Sequence, residues 1–219
     1  MRENVIHRIM ERKIIAIIRG MDEKSILFLA EALYKGGISL IEVTFNQKAP
    51  ESFAVAGRVI SAITRSFGGD VSAGAGTVMT EEQLVIARDS GAEYIVSPHT
   101  NADIIRKTRE NGLVSIPGAM TPSECAAAWE AGADFVKLFP AGDLGPGYLT
   151  AIRAPLSHIR FLCVGGITFQ NIPGFMSAGS TGFGIGGNMV NKEWVESRQS
   201  GKITALTREY VNAARTGGG

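Results

Sequence analysis

The feature that most limits what this chain can fold into is an alternation. A short β-branched, apolar run is followed by a longer stretch of helical periodicity, with Gly, Pro or Ser/Thr-Pro at the joints, and the pattern recurs about eight times. The apolar runs are Ile14 to Ile18, Leu40 to Thr44, Val71 to Ala75, Tyr94 to Ser97, Leu113 to Ile116, Phe135 to Phe139, Arg160 to Val164 and Thr181 to Ile185. Helices are predicted near 22–35, 50–65, 80–90, 101–111, 122–131, 146–154, 168–178 and 203–214. Several follow capping chemistry: Thr80 before Glu81 and Glu82, Thr121 before Pro122, and Thr168 after a glycine pair. Spread over 219 residues, eight units have about 27 residues each, enough for a strand, a helix and two short loops.

This pattern predicts one α/β domain over residues 1–219, a (β/α)8 TIM barrel with an extra N-terminal helix in the charged amphipathic stretch Met1 to Arg12. An open doubly wound sheet of five or six strands would leave two apolar runs unplaced, and no dinucleotide-binding glycine fingerprint is present. The tail from Thr216 to Gly219 is expected to fray.

Charge narrows the partners. Lys and Arg total 22 against 21 Asp and Glu, a net charge of +1, which gives no field to hold nucleic acid or an anionic membrane. Any anion must be bound locally. Cys125 and Cys163 lie in apolar surroundings without the spacing of a zinc site or redox pair, so reduced thiols and a cytoplasmic location are expected. No run reaches the ~18–20 apolar residues of a membrane span, and the N-terminal stretch does not read as a signal peptide. His7, His99 and His158 are too dispersed for a metal site, so neither metal nor cofactor is expected. His99 sits at a strand end, where it either lines a pocket mouth or is merely exposed.

In such a barrel the chemistry gathers at the C-terminal ends of the strands, so polar residues there carry the functional reading. Lys137, inside Phe135-Val136-Lys137-Leu138-Phe139-Pro140, would hold its ammonium in a poorly solvated interior. Desolvation lowers an amine's pKa and frees the neutral nucleophile that attack on a ketone requires. The structural alternative is a lysine that snorkels to the rim or joins a buried ion pair. Glu42, in a matching place on Leu40-Ile41-Glu42-Val43-Thr44, favours chemistry, because a buried ion pair is a poor stabiliser. Arg19 ends the first run with a guanidinium suited to a carboxylate or phosphate; a rim ion pair is the alternative. Gly74-Ala75-Gly76-Thr77 would let a ligand approach backbone. Gly165-Gly166 and Gly184-Ile185-Gly186-Gly187, after the seventh and eighth runs, fall where barrels build phosphate sites from loop amides.

These residues resemble the 2-keto-3-deoxy-6-phosphogluconate and 4-hydroxy-2-oxoglutarate aldolases, a class I family that includes the 2-dehydro-3-deoxy-6-phosphogalactonate aldolases. The likeness runs from Ile14 to about Val190 and rests on Val136-Lys137-Leu138-Phe139-Pro140. It is supported by Ile41-Glu42-Val43-Thr44, Gly74-Ala75-Gly76-Thr77-Val78, Ser97-Pro98-His99, Pro117-Gly118 with Thr121-Pro122, and Val164-Gly165-Gly166. It implies that Lys137 is the Schiff-base lysine and that Glu42 moves protons through a water. Arg19 and Thr77 would hold the keto-acid carboxylate, with Pro98, Pro117 and Phe139 shaping the pocket. The amides of Gly165, Gly166, Gly186 and Gly187 would receive the phosphate.

Three positions depart from the gluconate pattern. Asn46 stands where many members carry Arg, and Val164 where many carry Thr; both match the galactonate branch. Asn188 replaces a frequent Ser beside the phosphate. The resemblance therefore implies cleavage of a 2-keto-3-deoxy-6-phospho sugar acid, of gluconate or galactonate type, to pyruvate and glyceraldehyde 3-phosphate. It also implies a homotrimer whose partners are the keto acid and phosphosugar. The competing readings are a 4-hydroxy-2-oxoglutarate aldolase and a non-catalytic phosphosugar-binding barrel.

Overall fold

The computed structural model describes residues 2–216, so the last three residues of the tail expected to fray lie outside the described residues. Its strands are β1 (Ile14–Ile18), β2 (Leu40–Thr44), β3 (Ser72–Gly76), β4 (Tyr94–Val96), β5 (Val114–Ile116), β6 (Gly118–Ala119), β7 (Val136–Leu138), β8 (Phe161–Val164) and β9 (Gly182–Ile185). They make one sheet in the order β5-β4-β3-β2-β1-β9-β8-β7-β6, and every neighbouring pair is parallel.

The ends of that list are two halves of one extended stretch interrupted at Pro117, which has no N–H to give to a ladder. β5 pairs with β4 and β6 with β7, while the Pro117 carbonyl accepts from the Lys137 N–H at 2.8 Å. The sheet thus closes into the eight-unit barrel that the alternation predicts.

Around it run α1 (Arg2–Arg12), α2 (Glu23–Lys35), α3 (Phe53–Phe67), α4 (Glu81–Asp89), α5 (Ala102–Glu110), α6 (Pro122–Glu130), α7 (Ala141–Arg153), α8 (Ile172–Ser177), α9 (Lys192–Glu196) and α10 (Ser200–Thr216). Thr80 with Gln83, and Thr121 with Glu124, form reciprocal capping boxes. α7 starts five residues before its predicted position, at Ala141; Gly145 (φ 78°, ψ 165°) breaks it, so only the segment beginning at Pro146 shows in the sequence. α9 has five residues, too few to display a period.

Strand parity divides the core. Ile14, Ala16, Ile18, Ile41, Val43, Val136, Leu138, Cys163 and Phe183 face the helices. Ile15, Leu40, Tyr94, Val114, Phe135 and Leu162 face inwards, where they meet Val5, Ile6 and Ile9 of α1. α1 therefore stoppers the N-terminal end of the barrel. Arg2 fastens it by an ion pair to the buried Asp134, which also accepts from the Ser115 N–H at 3.0 Å.

Candidate active site

The same parity turns two charges into the barrel. Glu42 lies two residues beyond Leu40 and Lys137 two beyond Phe135, and only 3% and 6% of their surfaces remain exposed. Burial pushes the Glu42 carboxyl up, against the opposing charges of Lys137 and Arg19. It pushes the Lys137 amine down; Glu42 resists that shift and Arg19 adds to it. The two groups act on each other through space, and among the described residues neither is engaged in an ion pair or a side-chain hydrogen bond. The amine stands 5.1 Å from the ring centroid of Phe139. Arg19 is exposed on the rim and is likewise without an ion-pair partner among the described residues, so its guanidinium is free for an anion.

Glycines on β3 make the room. A Cβ at Gly76 would stand 1.8 Å from Glu42 Oε1, and one at Gly74 would stand 2.1 Å from Cε2 of Tyr94. These glycines accommodate protein side chains, not the ligand backbone approach expected from the sequence. Thr77, directly after, has φ +57°, a left-handed conformation that costs a β-branched residue ~1–3 kcal/mol. Its carbonyl is held by Gln47 Nε2 at 2.7 Å, and Gln47 in turn accepts from the fully buried Gln83 at 2.9 Å.

A cavity of about 230 Å3 opens at the C-terminal ends of β1, β7, β8 and β9. Arg19, Lys137, Phe139, Val164, Gly165, Gly166, Gly186, Gly187 and Asn188 all line it. Ile17, Ile167, Gly184 and Ile185 complete its wall; the isoleucines gave no polar signal by which sequence reasoning could single them out. Thr77, Pro98 and Pro117 do not line this cavity. Glu42 does not line it either. Thr77 follows β3, the strand beside that of Glu42, Pro98 follows β4 with its backbone 2.5 Å from where a Cβ on Gly118 would be, and Pro117 adjoins β7, its carbonyl accepting from the Lys137 N–H. His99 is half-buried, also away from the cavity, with Nδ1 enclosed and unpartnered.

The glycine loops are braced from behind. Gly165 and Gly166 have φ +87° and +68°, a region other residues rarely enter. Asn171 Nδ2 donates to the Gly166 carbonyl at 2.9 Å and Asn188 Nδ2 to the Ile167 carbonyl at 2.9 Å, tying one loop to the other. Tyr210 of α10 donates to the Asn188 carbonyl at 3.2 Å and packs edge-on against Phe169. What results is a cleft with one partly desolvated amine, a guanidinium at the rim and a hydrogen-bonded loop pair rich in backbone amides, with the Glu42 carboxyl buried in the same barrel but outside the cleft's lining. That set suits carbonyl addition and proton transfer on a small anionic substrate.

Residues 5–206 match the family model for KDPG and KHG aldolases. The chain belongs to that family. It is 36% identical over 181 residues, 82% of each chain, to a probable 2-dehydro-3-deoxy-6-phosphogalactonate aldolase of Rhizobium meliloti. It is 31% identical over 211 residues, 96% of each chain, to a 2-dehydro-3-deoxy-phosphogluconate aldolase of Haemophilus influenzae. Among solved structures it matches the KDPG aldolase of Legionella pneumophila, with pyruvate captured as a covalent carbinolamine intermediate, at a TM-score of 0.80 and 27% identity, covering 90% of this chain and 93% of that one. As a member of the KDPG and KHG aldolases this protein is a carbon–carbon lyase. Among the described residues no helix is long and apolar enough to cross a membrane.

Proposed function

We propose that this protein is a Schiff-base aldolase whose nucleophile is Lys137 and whose proton carrier is Glu42. The observation that carries the reading is a buried amine, without an ion pair among the described residues, opening into the cavity at the strand ends. The neutral amine adds to the C2 ketone of a 2-keto-3-deoxy-6-phospho sugar acid; a carbinolamine forms and water leaves as the iminium is made. Glu42, through water, takes the proton of the C4 hydroxyl. The C3–C4 electron pair moves into the iminium, glyceraldehyde 3-phosphate departs, and the enamine is protonated at C3 and hydrolysed to pyruvate. The Legionella carbinolamine supports the first of these steps.

Arg19 and Thr77 hold the substrate carboxylate in this reading, with Pro98, Pro117 and Phe139 as walls. The amides of Gly165, Gly166, Gly186 and Gly187 take the phosphate. Val164 presents methyls where a hydroxyl would read sugar configuration, and the galactonate name of the Rhizobium relative favours that epimer. One observation favours a second substrate, 4-hydroxy-2-oxoglutarate, cleaved to pyruvate and glyoxylate. Asn188 commits one of its two Nδ2 N–H groups to the Ile167 carbonyl, which leaves a single side-chain donor for a phosphate.

A coupled pyruvate-release assay with both phosphorylated epimers and 4-hydroxy-2-oxoglutarate separates these readings. Borohydride reduction with pyruvate should fix mass on the Lys137 peptide, and the label should vanish in Lys137→Ala. A label that persists in that variant contradicts the assignment. We place the enzyme in the cytoplasm as a homotrimer, which light scattering of the purified chain tests.

A further inference from the structure

Among the described residues Tyr94 is a large polar side chain of the barrel interior that the proposed chemistry leaves unused. It is fully buried, and its hydroxyl oxygen has no hydrogen-bond partner among the described residues. An unpartnered buried hydroxyl is expensive; a phenylalanine would fill the same space without that cost.

The sheet register shows where the ring goes. Glu42 is paired with Gly74, and Gly74 with Tyr94, so the three stand in one row across β2, β3 and β4. Gly74 has no side chain. The tyrosine ring fills that gap, with Cδ2, Cε2 and Cζ all within 2.4 Å of where a Gly74 Cβ would be. One inward position further along β3, the Glu42 carboxyl fills the corresponding gap above Gly76. Acid and phenol thus occupy successive vacancies on the same strand.

Two acidic side chains lie near the phenol. Glu42 and Glu93 are the charges that Tyr94 senses, and Glu93 already accepts from Ser72 Oγ at 2.8 Å. Ser72 accepts in turn from Arg8 at 2.6 Å. Facing Glu42 are Lys137 from β7 and Arg19 from the end of β1.

We propose that Tyr94 is a positioning residue for Glu42. Its hydroxyl is the donor that the carboxylate meets when it is ionised during turnover, directly or through one bridging water. The phenol stays neutral throughout and no proton is transferred from it. The inference rests on Glu42 acting as the proton carrier, and the test keeps the two apart.

Tyr94→Phe removes one oxygen and keeps the packing. In the full-length enzyme it should lower kcat for pyruvate release roughly tenfold, the scale of one hydrogen bond to a charged group, with KM and borohydride trapping unchanged. Loss of the donor raises the carboxyl pKa, so the acid limb of the kcat profile should move to higher pH. An unchanged kcat and acid limb overturns the proposal. Should Tyr94→Phe also melt early, the double variant decides: in a Glu42→Gln background the tyrosine change should have little further effect on kcat. A full additive loss there means the hydroxyl acts independently of the acid, and the proposal fails. Wild-type turnover by Glu42→Gln alone would instead refute the assignment of Glu42.

Discussion

The carboxylate of Glu42 rests on Gly76, with Oε1 only 1.8 Å from the place a Cβ would take. The backbone of Gly76 lies outside the left-handed region, so alanine there is opposed by the acid and not by φ. Gly76→Ala should therefore push the carboxyl aside without unfolding the barrel. A displacement of ~1 Å in a reacting group lowers turnover about 100-fold. Pyruvate release should fall on that scale while borohydride still traps pyruvate on the lysine; undiminished turnover would show that the acid has no fixed place in the chemistry.

Burial lowers the Lys137 pKa below the 10.5 of an exposed lysine. The rate of reductive trapping by pyruvate should accordingly rise through a midpoint below that value, and a midpoint at or above 10.5 would contradict a desolvated amine. Stability has the matching sign. Between the folded and unfolded pKa values the unfolded chain binds more protons, so the lysine's contribution to stability improves as pH rises through that window. Lys137→Met should then raise the melting temperature at neutral pH while abolishing trapping, since Glu42, its own pKa already raised, can take up a proton once its partner is gone.

Asn188 ties the two glycine loops through its 2.9 Å bond to Ile167. Asn188→Ala should loosen the cradle and raise KM for the phosphorylated substrate by about tenfold, the upper range for one lost hydrogen bond. kcat, and cleavage of 4-hydroxy-2-oxoglutarate, should hardly change. Equal effects on both substrates would place Asn188 outside distal-group recognition.

At the other end of the barrel, Asp134 joins Arg2 to the Ser115 amide, with Arg109 3.8 Å away. Asp134→Asn should cost about 1–3 kcal/mol in urea unfolding, the penalty of under-satisfied buried groups, with turnover unaltered. A drop in kcat at full stability would argue that the two ends of the barrel are coupled.

Much of this architecture was legible because barrel strands are apolar on both faces and their helices carry a clear period. All eight apolar runs became strands, and Lys137 and Glu42 stood out as charges inside them. What escaped the sequence depends on contacts between distant residues. The fifth apolar run ends at Ile116 in the sequence, and only the ladder to β7 reveals Gly118–Ala119 as strand. Gly74 and Gly76 read as ligand approaches until Tyr94 and Glu42 are seen lying over them. Tyr94 itself passes for an ordinary aromatic in a strand, since nothing local says its hydroxyl will lack a partner.

The stopper formed by Val5, Ile6 and Ile9 makes the barrel a blind well. Under the proposed chemistry a reactant reaches Lys137, and both fragments leave, by the mouth on the opposite face. Departure of the aldehyde must then precede the next arrival by the same route, and a molecule lodged at that rim would inhibit both directions of the reaction at once.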